Sequence, residues 1–181
     1  MSAGDKGAPA TSDEQSLLLG LIGYGIQGSL TPSMHEREGV EQGLKIIYKQ
    51  IDLQTLGLDV QALPELLVAA ERMGFGGLNI TFPAKQAIIP LLTDLSDDAR
   101  SLGAVNTVVL REGKRFGHNT DLSGYAENLR RGLPDAKRAR VVQVGAGGAG
   151  SAVAEALMQL GVERLTVFDT DAGRARHRYR T

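Results

Sequence analysis

Cysteine is missing from all 181 positions of the chain. Its absence excludes disulfide bonds, thiolate metal ligands and a cysteine nucleophile, and it is typical of cytoplasmic proteins. An excess of one charge is missing too, since 20 basic residues balance 21 acidic ones for a net charge of −1. Nucleic acids and anionic membrane surfaces attract basic proteins, so the composition predicts neither as a partner. We therefore expect a cytoplasmic protein.

Long apolar segments are also absent. No apolar run approaches the roughly 20 residues that cross a bilayer, so the sequence predicts no transmembrane helix. Residues 1–16 lack the apolar core of a signal peptide and predict a flexible tail. His35, His118 and His177 are too widely spaced for a helical pair of metal ligands, and we expect no metal site.

Glycine, by contrast, is abundant, with 23 residues that cluster where apolar segments end. Strand-like apolar segments alternate with helical ones, which predicts an α/β fold with mostly parallel strands and tight glycine turns. Strands are predicted at 17–23, 45–52, 76–81, 141–144 and 164–169, helices at 32–44, 62–74, 83–92, 96–103, 121–133 and 149–160, and a hairpin at 104–120 that turns at Glu112–Gly113.

A polar, basic segment at 133–142 interrupts this alternation. We place one domain at 17–121, a connecting helix and linker at 122–138, and a second domain at 139–181. The second domain holds a single β-α-β unit. Because a parallel sheet needs helices on both faces, one such unit is incomplete by itself, and we expect the chain to be truncated within this domain.

The second domain begins with a glycine-rich motif. Gly145, Gly147 and Gly150 fit the pattern G-x-G-x-x-G between a predicted strand and a predicted helix. In dinucleotide-binding folds these glycines permit the turn, the approach of a pyrophosphate and the packing of helix on strand. Asp169 lies 19 residues beyond Gly150, where an acid accepts bonds from a ribose 2′-hydroxyl and repels a 2′-phosphate. The motif predicts a dinucleotide site; the alternative is a structural turn with a surface aspartate.

A second match to the pattern, GYGIQG at 23–28, has no helix directly after it. Asp52, the acid that ends the next strand, lies 24 residues past Gly28, which is further than the dinucleotide pattern expects. We therefore predict a binding loop that offers the hydroxyls of Ser29 and Thr31. The alternative is that these hydroxyls only cap the following helix.

Polar residues also follow apolar strands at 79–81, 106–107 and 119–121. In open α/β sheets, ligands bind beyond the carboxyl ends of the strands. Three polar clusters there predict a site for a ligand rich in hydroxyl groups, although each alone is typical of a turn or a cap.

Lys85 is a candidate general base. It lies in the first turn of a predicted helix, where partial positive charge disfavours the ammonium form. A lysine amine in this setting can take the hydroxyl proton of a secondary alcohol as hydride leaves the carbon. Asp121 is a candidate second partner of that hydroxyl. The alternatives are a solvated surface lysine and a helix N-cap.

Five segments, in this order and spacing, resemble the shikimate dehydrogenase family: SLTPSMH (29–35), NITFPAK (79–85), GAVNT (103–107), GHNTD (117–121) and GAGGAG (145–150). The resemblance implies an N-terminal substrate domain of the shikimate dehydrogenase type, followed by an incomplete Rossmann domain with a doubly wound parallel sheet. The active site would lie in the cleft between them. It also implies that Lys85 and Asp121 are the catalytic pair, and that Ser29, Thr31, Thr81, Asn106 and Asp121 bind shikimate or quinate.

The resemblance further indicates the cofactor. Family members that use NADP carry an Asn-Arg-Thr-like segment where this chain has Phe168-Asp169-Thr170-Asp171. That segment, together with Thr31 in place of the commoner serine, resembles the NAD-using quinate/shikimate dehydrogenases. We expect NAD rather than NADP. The residues implied to bind it are Gly145, Ala146, Gly147, Gly148, Ala149, Gly150, Asp169 and Arg174.

The predicted function is therefore the NAD-dependent oxidation of shikimate or quinate to the 3-dehydro ketone, or the reverse reaction. Two alternatives stay open at this point. One is a truncated, non-catalytic fragment that binds polyol carboxylates, because the chain ends soon after the first β-α-β unit. The other is an NADP-dependent biosynthetic shikimate dehydrogenase. Whether the protein is a homodimer is also left open.

Overall fold

The computed structural model describes residues 16–171 and residue 173, so that Arg174 and nearly all of the expected tail lie outside the described residues. In chain order the strands and helices are β1 (Ser16–Gly23), α1 (Thr31–Glu41), β2 (Lys45–Asp52), α2 (Leu53–Leu56), α3 (Leu63–Arg72), β3 (Phe75–Ile80), α4 (Ala84–Ala87), β4 (Asp94–Leu95), α5 (Asp97–Leu102), β5 (Thr107–Arg111), β6 (Lys114–His118), α6 (Asp121–Gly132), β7 (Arg140–Val144), α7 (Gly148–Gln159) and β8 (Arg164–Phe168).

Two sheets organise these elements. The first has six strands in the order β2-β1-β3-β5-β6-β4, and the second consists of β7 and β8. Strand β1 runs parallel to both β2 and β3, β4 runs parallel to β6, and β7 runs parallel to β8. Only the pairs β3–β5 and β5–β6 are antiparallel within the described residues. The predicted α/β class with mostly parallel strands is confirmed.

The main core lies between the six-stranded sheet and α3. Leu63, Leu67 and Ala70 are fully buried at the i, i+4 and i+7 positions of α3, and they join the same apolar cluster as Ile22 and Ile80 of the parallel strands. Burial of this face fixes β1 and β3 side by side. Their carboxyl ends, where the polar segments begin, therefore lie at one edge of the sheet.

The β5–β6 hairpin brings two polar clusters together. Its turn is at Glu112 and Gly113, which both have positive φ, as the predicted two-residue turn requires. The antiparallel register pairs Thr107 with His118, and the backbone N–H of Asn106 donates to the His118 carbonyl at 3.0 Å. Segments 106–107 and 119–121 are consequently neighbours.

A small apolar cluster connects α6 to the second sheet. Leu122 and Ala126 of α6 pack with Ala152 and Ala156 of α7, and Leu102 at the end of α5 completes the cluster. The small alanines allow the two helices to approach each other closely. This contact sets the start of α7 beside the end of the first sheet.

The helix predicted at 83–92 is wrong in length. Helical structure covers only Ala84–Ala87 and is followed by a short 3₁₀ turn at Ile89–Leu91. Pro90 is the cause, because proline has no N–H to donate and its ring clashes with the carbonyl four residues earlier. The turn that carries Lys85 is therefore too short to supply the helix dipole expected from the sequence.

Neither membrane helices nor metal clusters are found in the part of the chain that the structure describes. None of its helices combines the length and the apolar character needed to cross a membrane. The same residues contain no group of three histidine, cysteine, aspartate or glutamate side chains that could hold a metal ion.

Asp52 anchors the loop that follows β1. Its side chain is 3% exposed and accepts bonds from the backbone N–H groups of Gly25 and Gln54 on Oδ1, and from Ile26 N–H and the Gln27 amide on Oδ2. Burial by itself would raise the pKa of this carboxyl, but the four hydrogen bonds outweigh burial and hold the pKa below its ordinary value.

We predict that Asp52→Asn lowers the melting temperature at pH 7, because the amide NH₂ would face two N–H donors. The native pKa is lowered, so Asp52 stabilises the fold above the unfolded-state value of about 3.9 and loses this contribution as the pH falls through the native value. The difference in melting temperature between Asp52→Asn and the wild type should therefore be smaller at acidic pH. Circular dichroism melts at pH 7 and pH 3 measure it, with the exposed Asp135→Asn as the control; equal losses in both variants would contradict the anchoring role.

Candidate active site

A cleft of about 770 Å³ lies between the end of β3 and the glycine-rich turn after β7. Thr81 and Lys85 line one wall, and Ala146, Gly147 and Gly148 line the other. The two walls are close, because a methyl group added to Gly148 would lie 3.9 Å from Lys85 Cδ. Residues predicted to bind substrate thus share a cleft with residues predicted to bind the cofactor.

Lys85 and Asp121 form an ion pair at this cleft. The Nζ atom of Lys85 donates to Asp121 Oδ2 at 2.6 Å, and the side chains are 20% and 32% exposed. Lys85 is therefore not a solvated surface lysine. The N-cap alternative for Asp121 is wrong as well: Thr120 occupies the cap position, and Asp121 is the first residue of α6.

The second oxygen of Asp121 is held by Asn106. The Asn106 amide donates to Asp121 Oδ1 at 2.8 Å and to Thr120 Oγ1 at 3.0 Å. Its carbonyl oxygen accepts the Thr120 N–H at 3.0 Å, so both ends of the amide are engaged. Asn119 accepts the Asp121 N–H and is itself anchored on the Ala104 carbonyl. The hairpin therefore fixes the position and orientation of the Asp121 carboxylate.

Ser29 and Thr31 lie in the loop that Asp52 anchors. Ser29 Oγ donates to Thr31 Oγ1 at 2.9 Å and accepts the Thr31 N–H at 3.2 Å. The N-cap position of α1 is Leu30, without a side-chain cap bond, so the two hydroxyls are held together on the loop and do not cap the helix. Among the described residues, neither bonds to Lys85 or Asp121.

Thr81 connects this loop to the cleft. Its N–H donates to the Ile22 carbonyl at 2.9 Å, and the Tyr24 N–H in turn donates to the Phe82 carbonyl at 2.9 Å. Gly23 is required for this approach, since a methyl group there would lie 2.2 Å from Thr81 Cγ2. The loop after β1 is thereby fastened to the segment that leads to Lys85.

The three motif glycines of the second sheet have separate structural roles. Gly145 has φ +104°, which favours glycine and makes the turn. A methyl group on Gly150 would lie 2.3 Å from the Gly145 carbonyl oxygen, so glycine is needed there for packing of α7 on the turn. A methyl group on Gly147 meets nothing within 4 Å, which leaves open space where a pyrophosphate would approach. The geometry fits a dinucleotide turn.

Asp169 lies against this turn. Its Oδ2 accepts the Ala146 N–H at 2.7 Å, and its Oδ1 accepts the Asp171 N–H at 2.8 Å. Asp52 has the same relation to the earlier glycine loop, but it is buried and accepts four bonds, one for each lone-pair site of a carboxylate. All four bonds of Asp52 are made within the protein, which fits the prediction that GYGIQG forms a binding loop and not a dinucleotide turn.

Two buried residues of the site were missed in the sequence. Gln143 lies in β7 and donates to the carbonyls of Gly145 and Gly150 at 2.7 and 2.8 Å, which fastens both ends of the turn. The signal was present, because a lone glutamine interrupts the apolar run VVQV just before the motif. Tyr48 donates to Asn79 Oδ1 at 2.6 Å from β2. An alternating strand pattern does not distinguish such a residue from an ordinary core tyrosine.

Comparison with known families gives two matches. Residues 21–108 match the shikimate dehydrogenase substrate binding domain, and residues 123–172 match the ThiF family. The first match contains the loop after β1, Thr81, Lys85 and Asn106. The second contains the glycine-rich turn and Asp169.

Individual relatives are similar over most of this chain. A shikimate dehydrogenase (NADP(+)) of Arthrobacter sp. strain FB24 is 58% identical over 91% of this chain and 56% of its own length. A quinate/shikimate dehydrogenase (NAD(+)) of Corynebacterium efficiens is 54% identical over 90% and 58% of the two chains. The chain thus spans a little more than half the length of these curated relatives.

A solved structure gives the same answer for the fold. The quinate dehydrogenase of Corynebacterium glutamicum in complex with NAD is 53% identical and superposes with a TM-score of 0.82, over 88% of this chain and 57% of that one. The matched substrate-binding domain, the motif order and this level of identity together show that the chain belongs to the shikimate dehydrogenase family.

Proposed function

We propose that this chain forms the substrate domain and the first part of the cofactor domain of a dehydrogenase that oxidises shikimate, quinate or both with NAD. The observation that carries the proposal is the Lys85–Asp121 ion pair in a cleft whose opposite wall is the dinucleotide turn. Oxidation of an alcohol by a nicotinamide requires a proton acceptor at the hydroxyl oxygen and a hydride acceptor at the carbon that carries it. A cleft with Lys85 on one wall and the glycine-rich turn on the other supports such an arrangement.

In the proposed reaction, Lys85 Nζ as the neutral amine takes the single hydroxyl proton of the substrate, and the Asp121 carboxylate, 2.6 Å from Nζ, stabilises the ammonium group that forms. The C–H bond breaks with its electron pair, and the C–O bond becomes a carbonyl. The dinucleotide, when bound, accepts the hydride. Asn106 holds Asp121 in place through its 2.8 Å bond to Oδ1. In the reverse direction the same lysine returns the proton.

Substrate recognition is proposed for the polar residues around this pair. Ser29 and Thr31 present two linked hydroxyls on the Asp52-anchored loop, and Thr81 lines the cleft itself. Hydroxyl and amide groups match a ring that carries several hydroxyls and a carboxylate. We also retain, as part of the proposal, the division into a substrate domain at 17–121, a connector at 122–138 and a partial cofactor domain at 139–181.

NAD is the proposed cofactor because of the acid at the end of β8. Asp169 accepts the N–H of Ala146 in the turn. Thr170 follows it, at the position where the Asn-Arg-Thr-like segment of NADP-using family members has arginine. A carboxylate there bonds ribose hydroxyls and repels a phosphate. NADP is the competing candidate, because the Arthrobacter relative is named for it.

Lys85→Met should abolish most turnover while leaving shikimate affinity within about threefold. Removal of a general base typically costs about 10²- to 10⁴-fold in rate, whereas the methionine keeps most of the side-chain volume. NADH formation should be measured in this chain and in a chimera that completes it with the C-terminal part of the Corynebacterium glutamicum quinate dehydrogenase. Lys137→Met in the exposed linker is the control.

Unchanged turnover of Lys85→Met in the active chimera would remove Lys85 from the mechanism. Binding of shikimate without NADH formation by this chain, alongside an active chimera, would favour the binding-fragment alternative.

Gly147→Ala and Gly150→Ala should separate cofactor binding from folding. The methyl group on Gly147 meets no protein atom, so this variant should melt like wild type and bind NAD at least about tenfold more weakly. The methyl group on Gly150 meets a backbone oxygen, so this variant should lose about 1–3 kcal/mol of stability. Thermal melts measure the stability of the two variants, and calorimetric titration measures their affinity for NAD. Wild-type NAD affinity in Gly147→Ala would contradict a pyrophosphate site at this turn.

Asp169→Asn combined with Thr170→Arg should shift the preference of the chimera from NAD toward NADP. Replacing ribose hydroxyl bonds with a phosphate beside Asp169 costs about 2–4 kcal/mol, or roughly 30- to 1000-fold in affinity. The ratio of kcat/KM for the two cofactors measures the shift. Equal efficiency of the unmutated protein with both cofactors would show that Asp169 does not face the ribose.

A further inference from the structure

A chain of hydrogen bonds runs from the buried strand β2 to the Lys85–Asp121 pair. Tyr48 Oη donates to Asn79 Oδ1 at 2.6 Å, and Asn79 Nδ2 donates to Thr107 Oγ1 at 3.4 Å. Thr107 Oγ1 donates to Asn106 Oδ1 at 3.0 Å, and Asn106 Nδ2 donates to Asp121 Oδ1 at 2.8 Å. The chain therefore links β2 to β3, on the other side of β1, and continues through β5 before it reaches the first residue of α6.

Every bond in this chain donates in the same direction, toward the carboxylate. The Tyr48 hydroxyl determines which end of the Asn79 amide faces it, so that the NH₂ group points to Thr107. The Thr107 hydroxyl donates in the same way to Asn106 Oδ1, which also accepts the Thr120 N–H, and these two donors together turn the NH₂ group of Asn106 to Asp121. Aligned hydrogen bonds polarise and strengthen one another. With Oδ1 of Asp121 held in this way, Oδ2 faces Lys85.

Tyr48 is well suited to begin such a chain. It is 9% exposed, and its ring stacks on His35 of α1 with centroids 5.0 Å apart. Burial raises the pKa of the hydroxyl well above its ordinary value, so it remains a donor throughout the physiological range. The ring packs with Leu21 of β1 and with Ile26 of the loop that Asp52 anchors. This packing fixes the position of the ring, so the hydroxyl is directed at Asn79 Oδ1.

We propose that Tyr48 is a positioning residue for the reaction, acting on the Asp121 carboxylate through Asn79, Thr107 and Asn106. This inference rests on the proposed role of the Lys85–Asp121 pair. If Tyr48 served the fold alone, its hydroxyl would have no effect on Asn106, which it does not touch. The proposal therefore predicts energetic coupling between Tyr48 and residues two or more bonds away along the chain.

The test uses variants that remove single hydroxyls. Tyr48→Phe keeps the ring and its stacking on His35 but removes the first donor, and Thr107→Val removes the relay in the middle. Tyr125→Phe, on a partly buried tyrosine of α6 outside the chain of bonds, is the matched control. Melting temperatures establish that each variant is folded.

The first measurement needs no ligand. In two-dimensional ¹⁵N–¹H spectra of this chain, the side-chain amide signals of Asn106, assigned by their loss in Asn106→Asp, should move in Tyr48→Phe and in Thr107→Val. They should stay in place in Tyr125→Phe. Unmoved Asn106 signals in a folded Tyr48→Phe would overturn the proposal, whatever the chain binds.

The second measurement is calorimetric titration with shikimate. Tyr48→Phe and Thr107→Val should each weaken binding about three- to tenfold, the value of one net hydrogen bond, and Tyr125→Phe should not. Because both act through one chain, the double variant should bind no worse than the weaker single variant. If the loss of affinity in the double variant equalled the product of the two single losses, the proposal would be overturned. Failure of the wild-type chain to bind shikimate would instead contradict the proposed function, and the spectra would still decide the role of Tyr48.

Discussion

The ion pair between Lys85 and Asp121 is the interaction on which the rest of the site depends. Both charges are partly buried, and a partly buried carboxylate is stable only when its oxygens are bonded. One oxygen is bonded to the lysine and the other to Asn106. These two bonds join the turn after β3, the β5–β6 hairpin and the start of α6. Backbone bonds hold the same elements together, since the Val105 N–H donates to the Lys85 carbonyl at 2.8 Å, so the side-chain bonds can set the position of the carboxylate.

The two glycine loops show how one backbone arrangement can serve two purposes. In each, an acid at the end of a strand accepts N–H groups from a loop after the neighbouring parallel strand. Asp52 has its acceptor sites filled by its own loop and a glutamine, and so it stabilises the loop that carries Ser29 and Thr31. Asp169 accepts the Ala146 N–H of the turn in which a methyl group on Gly147 would meet open space. The open space at Gly147 distinguishes the candidate cofactor motif from the loop that Asp52 anchors.

Much of the fold could be predicted from the sequence, because the spacing of apolar residues and the positions of the glycines determine local structure. The strand at 45–52 has the predicted bounds, and the hairpin turns at Glu112–Gly113 as expected. The helix at 83–92 could not be predicted correctly from its apolar pattern, because Pro90 limits it to a single turn. The two-residue strand β4 also escaped prediction, because its pairing with β6 depends on tertiary contacts.

The candidate site was predictable in its composition but not in its connections. The order of the motifs indicates Lys85 and Asp121 as a pair, and the structure places their charged atoms 2.6 Å apart. The supporting residues were harder to identify. Tyr48 and Gln143 lie within apolar strands, and only the three-dimensional pairing of strands reveals that their polar groups meet Asn79 and the glycine turn.

A crystal structure of this chain with shikimate would show whether Lys85 and Asp121 form the reaction centre. We expect one ring hydroxyl within hydrogen-bonding distance, about 2.6–3.2 Å, of both Lys85 Nζ and an Asp121 carboxylate oxygen. We also expect the hydroxyls of Ser29 and Thr31 to face the same molecule. Shikimate bound away from the cleft, or in the cleft without contact to Lys85 and Asp121, would exclude this role for the ion pair.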